Sequence, residues 1–418
     1  MNEKNLEEIR YRRTAFRLFA KGQSVAQVLT RLPRSRTWGY KWKQRFAEAR
    51  WEAWDSRSKA PHTASHQYAD RTTKLVVRLR QQLERAAVGL VCARAIRREV
   101  MRRRLLRRVP SLPTINRWLK QAGLIRTARV PAAQPYYPHP HPPEEVVLQA
   151  CDWTARYLAG GERPYVMHTI DVNTHALGQT ISTDKTTEAL CHHILAAFTE
   201  LGLPDLLQID NDGAFTGLGK SRRGVGRFVR VLLYLGVEPV FIPPGEPQRN
   251  GLVEGIHQLW VRSFFDKAHF ASVAHLKRQS PKFLAWYDQY EPPRLEGVSV
   301  AAAKRGVPRR RLTQRERHAI PEEMPLTAGR LHFIRRVDEQ GQIRLLNESW
   351  KVSKRLVGAY VWATVDLRAQ SLKIAYRKSK RAKAKLIKHF DYPIAEPVKR
   401  LPSQYKRRAR RVKVLRIM

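Results

Sequence analysis

From residue 7 onward the apolar positions recur every three to four residues, the spacing of a helix that buries one face. EEIRYRRTAFRLFAKG, SVAQVLTRL and SRTWGYKWKQRF carry this pattern in turn, and Gly22 and Pro33 fall at the breaks. Three helices are predicted over 7–47, sharing a small core of Ile9, Phe16, Phe19, Val25, Val28, Leu29, Trp38, Trp42 and Phe46. A polar stretch, SRSKAPHTASHQ, separates them from three further helical patterns: 72–86, VCARAIRREVMRRRL and SLPTINRWLKQAGLI. The last opens on an N-cap serine and continues through Ile115, Trp118 and Leu119. RVPAAQPYYPHPHPPEE is too rich in proline for helix or central strand and is an extended linker.

At 146 the period drops to two. VVLQACDWT, YVMHTIDVN and ALGQTIS predict a three-stranded antiparallel meander. The helix TTEALCHHILAAFTELG, the strand LLQID, a helix near GRFVRVLLYLG, the strand VEPVFIP and a helix over 252–267 follow. Three strands followed by alternating helix and strand is the order of a ribonuclease H-like α/β core. After VPRRRLTQRER the period-two pattern returns in RLHFIRRVD, QIRLLNESWKV, AYVWATVDL and SLKIAYR, read as four or five strands of a small barrel with turns at EQGQ and RAQS.

The fold expected is therefore multidomain. Helix-turn-helix units occupy 1–58 and 59–128, a Pro-rich linker 129–145, the α/β core 146–305, a basic linker 306–325, a small all-β barrel 326–378 and a basic tail 379–418.

Charge turns this architecture toward a polyanion. The 418 residues hold 79 Lys and Arg against 36 Asp and Glu, a net charge of +43, far beyond what solubility needs. No apolar run approaches the roughly 20 residues of a spanning helix, and MNEKNLEEIR has no signal-peptide core. A cytoplasmic, nucleoid-associated protein with no membrane partner is expected. Cys92, Cys151 and Cys191 do not pair at zinc-ligand spacing. Candidate DNA contacts are Arg34, Arg36, Lys41, Lys43 and Arg45 on or beside the third helix, and Arg94, Arg97, Arg98 and Arg102 in a run of eight arginines over 94–108. Thr114, Asn116, Arg117 and Lys120 are candidates for groove contact. The tail from 378 carries 15 Lys and Arg against two acids and is expected to be poorly ordered without DNA.

Against this basic background, residues 144–270 hold 15 acids and 11 Lys and Arg. Asp152 ends VVLQACD, Asp210 ends LLQID, and Glu254 lies in the first turn of a helix delivered by PPGEPQRNGLV, where the helix dipole favours negative charge. Carboxylates so spaced are hard oxygen ligands for a divalent cation. A lone Asp at a strand end is commonly a turn former, and Asp171 and Asp205 can be described that way.

CDWT, IDNDGAF and PPGEPQRNGLVEGIH resemble the DDE catalytic core of insertion-sequence transposases in the retroviral-integrase superfamily, and the resemblance in layout extends over nearly the whole chain. It implies that Asp152, Asp210 and Glu254 are catalytic and hold two Mg²⁺ or Mn²⁺ ions. It further implies that water frees a 3′-hydroxyl at an element end and that this hydroxyl attacks target DNA. A dimer or higher oligomer would bring two ends together. Matching Asp210, Asn211 and Phe215 to the family's Asp-Asn-Gly signature leaves Asp212 in the glycine position, with Asp212 the alternative ligand. The 43 residues between Asp210 and Glu254 exceed the family's usual interval, the surplus lying in TGLGKSRRGVGRF, whose Arg222 and Arg223 are candidate DNA contacts. Gln248, Arg249 and Asn250 of the turn, and His257 one helical turn after Glu254, join them. Two other functions fit a similar core: a catalytically silent DNA-binding regulator and a metal-dependent, structure-specific nuclease.

Overall fold

The computed structural model describes residues 3–49, 68–125, 136–140, 146–217, 222–307 and 309–406, in two compact units, Met1–Asp70 and Arg71–Met418. The polar stretch SRSKAPHTASHQ, most of the expected Pro-rich linker and the end of the tail lie outside the described residues.

The first unit holds α1 (Glu3–Ala20), α2 (Val25–Leu29) and α3 (Arg36–Ala49). Ser24 starts α2 with a capping box, its hydroxyl accepting from the Gln27 N–H while the Gln27 side chain accepts from the Ser24 N–H. Ala15, Leu18, Val28, Leu32, Trp42 and Phe46 form the core.

In the second unit α4 (Asp70–Arg85), α5 (Ala93–Arg102) and α6 (Leu112–Gln121) bury Val76, Leu79, Ile96, Val100, Ile115 and Leu119 together. This bundle is fastened to the α/β core. Lys267 Nζ donates to the Leu83 and Ala86 carbonyls at the C-terminal end of α4, and the Gly89 N–H donates to Ser263 O at 2.8 Å. A lysine on the last carbonyls of a helix meets both their unpaired acceptors and the negative end of the dipole.

The meander is β1 (Leu148–Ala155), β2 (Tyr165–Asp171) and β3 (Leu177–Ser182), followed by α7 (Thr187–Leu201), β4 (Leu206–Ile209), α8 (Gly213–Thr216), α9 (Arg227–Tyr234), β5 (Glu238–Phe241), α10 (Gly251–Ser263), α11 (Val273–Asp288), α12 (Val300–Arg305) and α13 (Gln314–His318). β1, β2 and β3 pair antiparallel, while β4 runs parallel to β1 and β5 parallel to β4. The order β3-β2-β1-β4-β5, with helices on both faces, is ribonuclease H-like.

The C-terminal strands depart from a separate barrel. β6 (Arg330–Arg336) pairs parallel with β5, and β9 (Tyr360–Asp366), β10 (Ser371–Tyr376) and β11 (Lys385–Asp391) continue outward, giving one nine-stranded sheet. β7 (Gln342–Leu345) and β8 (Glu348–Lys351) form a separate two-stranded ribbon. Leu346 and Asn347 turn this hairpin at positive φ, so QIRLLNESWKV is two strands and not one. The join between β5 and β6 is secured by side chains: Glu238 of β5 accepts from Arg330 Nε at 2.9 Å and faces His332 Nε2 at 3.1 Å. One apolar core runs from α7 and α9 to β6, β9 and β10, so the region after 326 shares its interior with the α/β core. Part of the expected tail is also built in. β11 extends the sheet, and Tyr392 and Tyr405 are buried in that core. Two large aromatic anchors outweigh the solvation of the surrounding lysines.

Candidate active site

β1 and β4 set two carboxylates side by side. Their register pairs Leu148 with Leu206, Gln149 with Leu207 and Ala150 with Gln208. Carried two residues further, it brings Asp152 level with Asp210, which lies just past the C-terminal end of β4, where open α/β sheets gather ligands. Glu254 comes from α10, which packs across β1 and β2.

Asn250, immediately before α10, ties these pieces together. It is 1% exposed; its Nδ2 donates to Cys151 O at 3.2 Å, and its Oδ1 accepts from Gln208 Nε2 at 3.0 Å. One side chain thus links the residue before Asp152, the strand leading to Asp210 and the helix bearing Glu254. Expected from the sequence as a candidate DNA contact, Asn250 instead has both ends of its amide engaged inside the protein.

The carboxylates feel one another. Burial pushes the Asp152 carboxyl up to about 7, the Asp210 and Glu254 charges push the same way, and the Trp153 N–H, 2.8 Å from Oδ1, and Lys185 oppose them. Burial likewise raises Asp210 and the Asp212 charge pushes the same way, while the Asp212 N–H at 3.0 Å from Oδ1 and the Lys185 charge lower it. Among the described residues no three His, Cys, Asp or Glu side chains already enclose a single point as metal ligands. Mutually repelling carboxylate oxygens are the donor type that a hard divalent cation takes.

Asp212 is engaged differently. Its Oδ1 caps α8 by accepting from the Ala214 N–H at 3.1 Å, and its other oxygen pairs with Lys185. Asn211, between the two aspartates, donates to Ile242 O and accepts from Arg335 Nη2 at 2.7 Å. Arg335 is 6% exposed and also donates to Ile242 O at 2.9 Å and Arg344 O at 3.2 Å. Burial pushes it down to about 9. A buried guanidinium held by neutral oxygens thus reaches from β6 to the loop carrying Asp210. In the sequence it is one of three arginines in RLHFIRRVD, a segment read as a barrel strand.

Other expected contacts divide in two. Arg36, Lys41, Lys43, Arg94, Arg102, Asn116, Arg117, Lys120, Arg222 and Gln248 are exposed; Arg97, Arg98 and Thr114 are half-buried. Of these, Arg102 pairs with Glu99 and Arg98 with Glu291 at 3.8 Å. The remaining expected contacts are likewise engaged within the protein. Arg34 pairs with Glu8 at 2.9 Å, and Arg45 stacks on Trp42 at 4.9 Å. Arg223 pairs with Glu348 at 2.7 Å. Arg249 pairs with Glu246 at 2.8 Å and lies over the rings of Tyr137 and Tyr360. His257 faces inward, bonded to the Asp152 backbone and 5.2 Å from the ring of the fully buried His168; burial lowers it to about 4. An imidazole so lowered and bonded to the β1 backbone supports that strand.

Glu254 and the helices around it fall within a recognisable domain. Residues 235–293 match the family model of the integrase core domain. The match takes in β5, α10 and α11. Similar solved chains include one from the intasome of simian T-cell lymphotropic virus in complex with PP2A regulatory subunit B56 gamma, at 14% identity over 69% of this chain and 93% of that one, TM-score 0.33. The HTLV-2 integrase catalytic core with magnesium, in its dimeric form, matches at 15% identity over 38% of this chain and 94% of its own, TM-score 0.27. Its trimeric form matches at 16%, over 37% and 93%, TM-score 0.28. Among the described residues no helix is long and apolar enough to cross a membrane.

Proposed function

We propose that this protein is a DDE-type DNA transposase, with Asp152, Asp210 and Glu254 as its catalytic carboxylates. The observation that carries the reading is the electrostatic convergence on Asp152, which shares a level with Asp210 across parallel strands and feels the Glu254 charge. Two Mg²⁺ or Mn²⁺ ions bound there would stabilise charge on the attacking and leaving oxygens of a phosphodiester in line. Asp152, Asp210 and Glu254 would be the residues that hold these ions. Asn250 and Arg335 hold the carboxylates in place, and no side chain is called on as a covalent nucleophile. The exposed cations of α3, α5 and α6 supply contacts to element-end DNA. Two ends joined to one target imply self-association.

The test is strand cleavage and joining by purified full-length protein with labelled element-end DNA and Mg²⁺. Asp152→Asn and Glu254→Gln are expected to abolish both reactions while DNA binding persists. Joining at the normal rate by either variant would refute the assignment, and DNA binding with no cleavage by the unaltered protein would favour a silent regulator.

A further inference from the structure

Lys185 lies in the turn between β3 and α7. Its ammonium pairs with the Asp212 carboxylate and stands 4.0 Å from the ring centroid of Trp153, the residue after Asp152. Its charge acts on both Asp152 and Asp210. Its side chain retains 35% exposure, so it is a surface lysine leaning over the acids and not a core group. A single partly exposed ion pair and one ring face are weak holds.

The surface continues in kind. Trp153 packs 6.0 Å from Tyr165, Arg163 lies 5.9 Å from the Tyr165 ring and 5.5 Å from that of Tyr157, and Tyr157 is 70% exposed. Lys185, Trp153, Tyr165, Arg163 and Tyr157 thus form a ledge of alternating cations and aromatic faces starting beside Asp152. Such a ledge suits a nucleic-acid strand, with cations for phosphates and rings for bases or sugars.

We propose that Lys185 is an exchangeable counter-ion of the active site. In the free protein it balances Asp152, Asp210 and Asp212; when divalent cations and DNA are bound it moves to a non-bridging phosphate oxygen of the strand lying on the ledge, next to the reacting phosphodiester. A compact ammonium on a flexible four-carbon stem is suited to both partners. Divalent cations remove the field that keeps it on the acids, and the phosphate supplies a new one. This inference rests on the transposase reading, because the acids must be metal ligands for the exchange to occur.

A lysine that merely tethers the turn to α8 and one that exchanges predict different responses. With full-length protein, Mn²⁺ affinity is measured without DNA by electron paramagnetic resonance. Binding of a fluorescein-labelled duplex with a short single-stranded end is measured by anisotropy in Ca²⁺ at several salt concentrations. Lys185→Gln is expected to bind Mn²⁺ about two- to five-fold more tightly, since a competing charge is gone. It should bind the duplex more weakly, with the slope of log affinity against log salt smaller by about 0.9, one phosphate contact. Lys185→Arg should restore the slope. A folded Lys185→Gln protein with unchanged Mn²⁺ affinity, or an unchanged salt slope, overturns the proposal. Asp152→Asn run alongside separates the two ideas: Mn²⁺ binding at full affinity there removes the metal site itself, whereas its loss there with no response in Lys185→Gln removes only the exchange.

Discussion

In EDTA, Asp152→Asn is expected to make the protein more stable at neutral and alkaline pH. In the unfolded chain this carboxyl loses its proton near 3.8, whereas in the fold it keeps it until about 7. Between these values the folded state binds more protons, so its advantage is fully present below pH 3.8 and is lost as pH rises through 7. Moving a carboxyl from 3.8 to about 7 corresponds to at most about 4 kcal/mol. Asp152 is only partly buried, and water at the rim reduces the effect to about 1–3 kcal/mol. Asparagine has no charge to lose. The assay compares melting temperatures of the two proteins from pH 5 to 8.5 in EDTA, where the Asn variant should gain progressively and lead by a few degrees at the alkaline end. Mg²⁺ should then reverse the order, because only the unaltered site gains binding free energy. If both proteins melt alike across the range in EDTA, Asp210 and Glu254 do not burden Asp152 and the electrostatic basis of the site is wrong.

Arg335→Met strands Asn211 Oδ1 and the Arg344 carbonyl, at about 1–3 kcal/mol each, partly offset by no longer burying a charge. Melting should change modestly while the cleavage rate falls at least about tenfold; full activity would show that Asn211 needs no support from β6. Asp212→Asn keeps the α8 cap and should leave cleavage within a few-fold of normal, whereas Asp210→Asn should lower it by about a hundredfold or more; the reverse result would exchange their roles. Gly226→Ala would place a Cβ 2.3 Å from Thr216 O and 2.6 Å from Gly217 Cα, and is expected to cost about 1–3 kcal/mol in a denaturation curve.

The meander, the parallel strands and α10 are legible in the sequence because each buries one face and its period shows it. Asp152 stands out in the sequence as an acid at the end of an apolar run, and Glu254 as an acid in the first turn of a helix. What periodicity cannot express is a contact between distant strands. The β5–β6 pairing spans two residue pairs, Val240 with His332 and Phe241 with Phe333, too short to leave a pattern. Arg335 reads as a solvent-facing charge until β5 covers it, and Asn250 as a turn residue until α10 docks. β11 hides in a basic stretch because it buries little, and the β7–β8 turn hides because Leu346 and Asn347 take positive φ without glycine.

The nine-stranded sheet leaves β3 and β11 as its outer strands. β11 carries Lys385 and Lys388 and pairs with β10 through a register shift at Ile374 and Ala375, features that discourage a second chain from adding on. Cutting the chain before β6 would instead bare β5, with Val240 and Phe241 unpaired at an apolar rim. A shortened protein ending near 305 is thus expected to aggregate, and any attempt to isolate the α/β core must keep the strands that follow it.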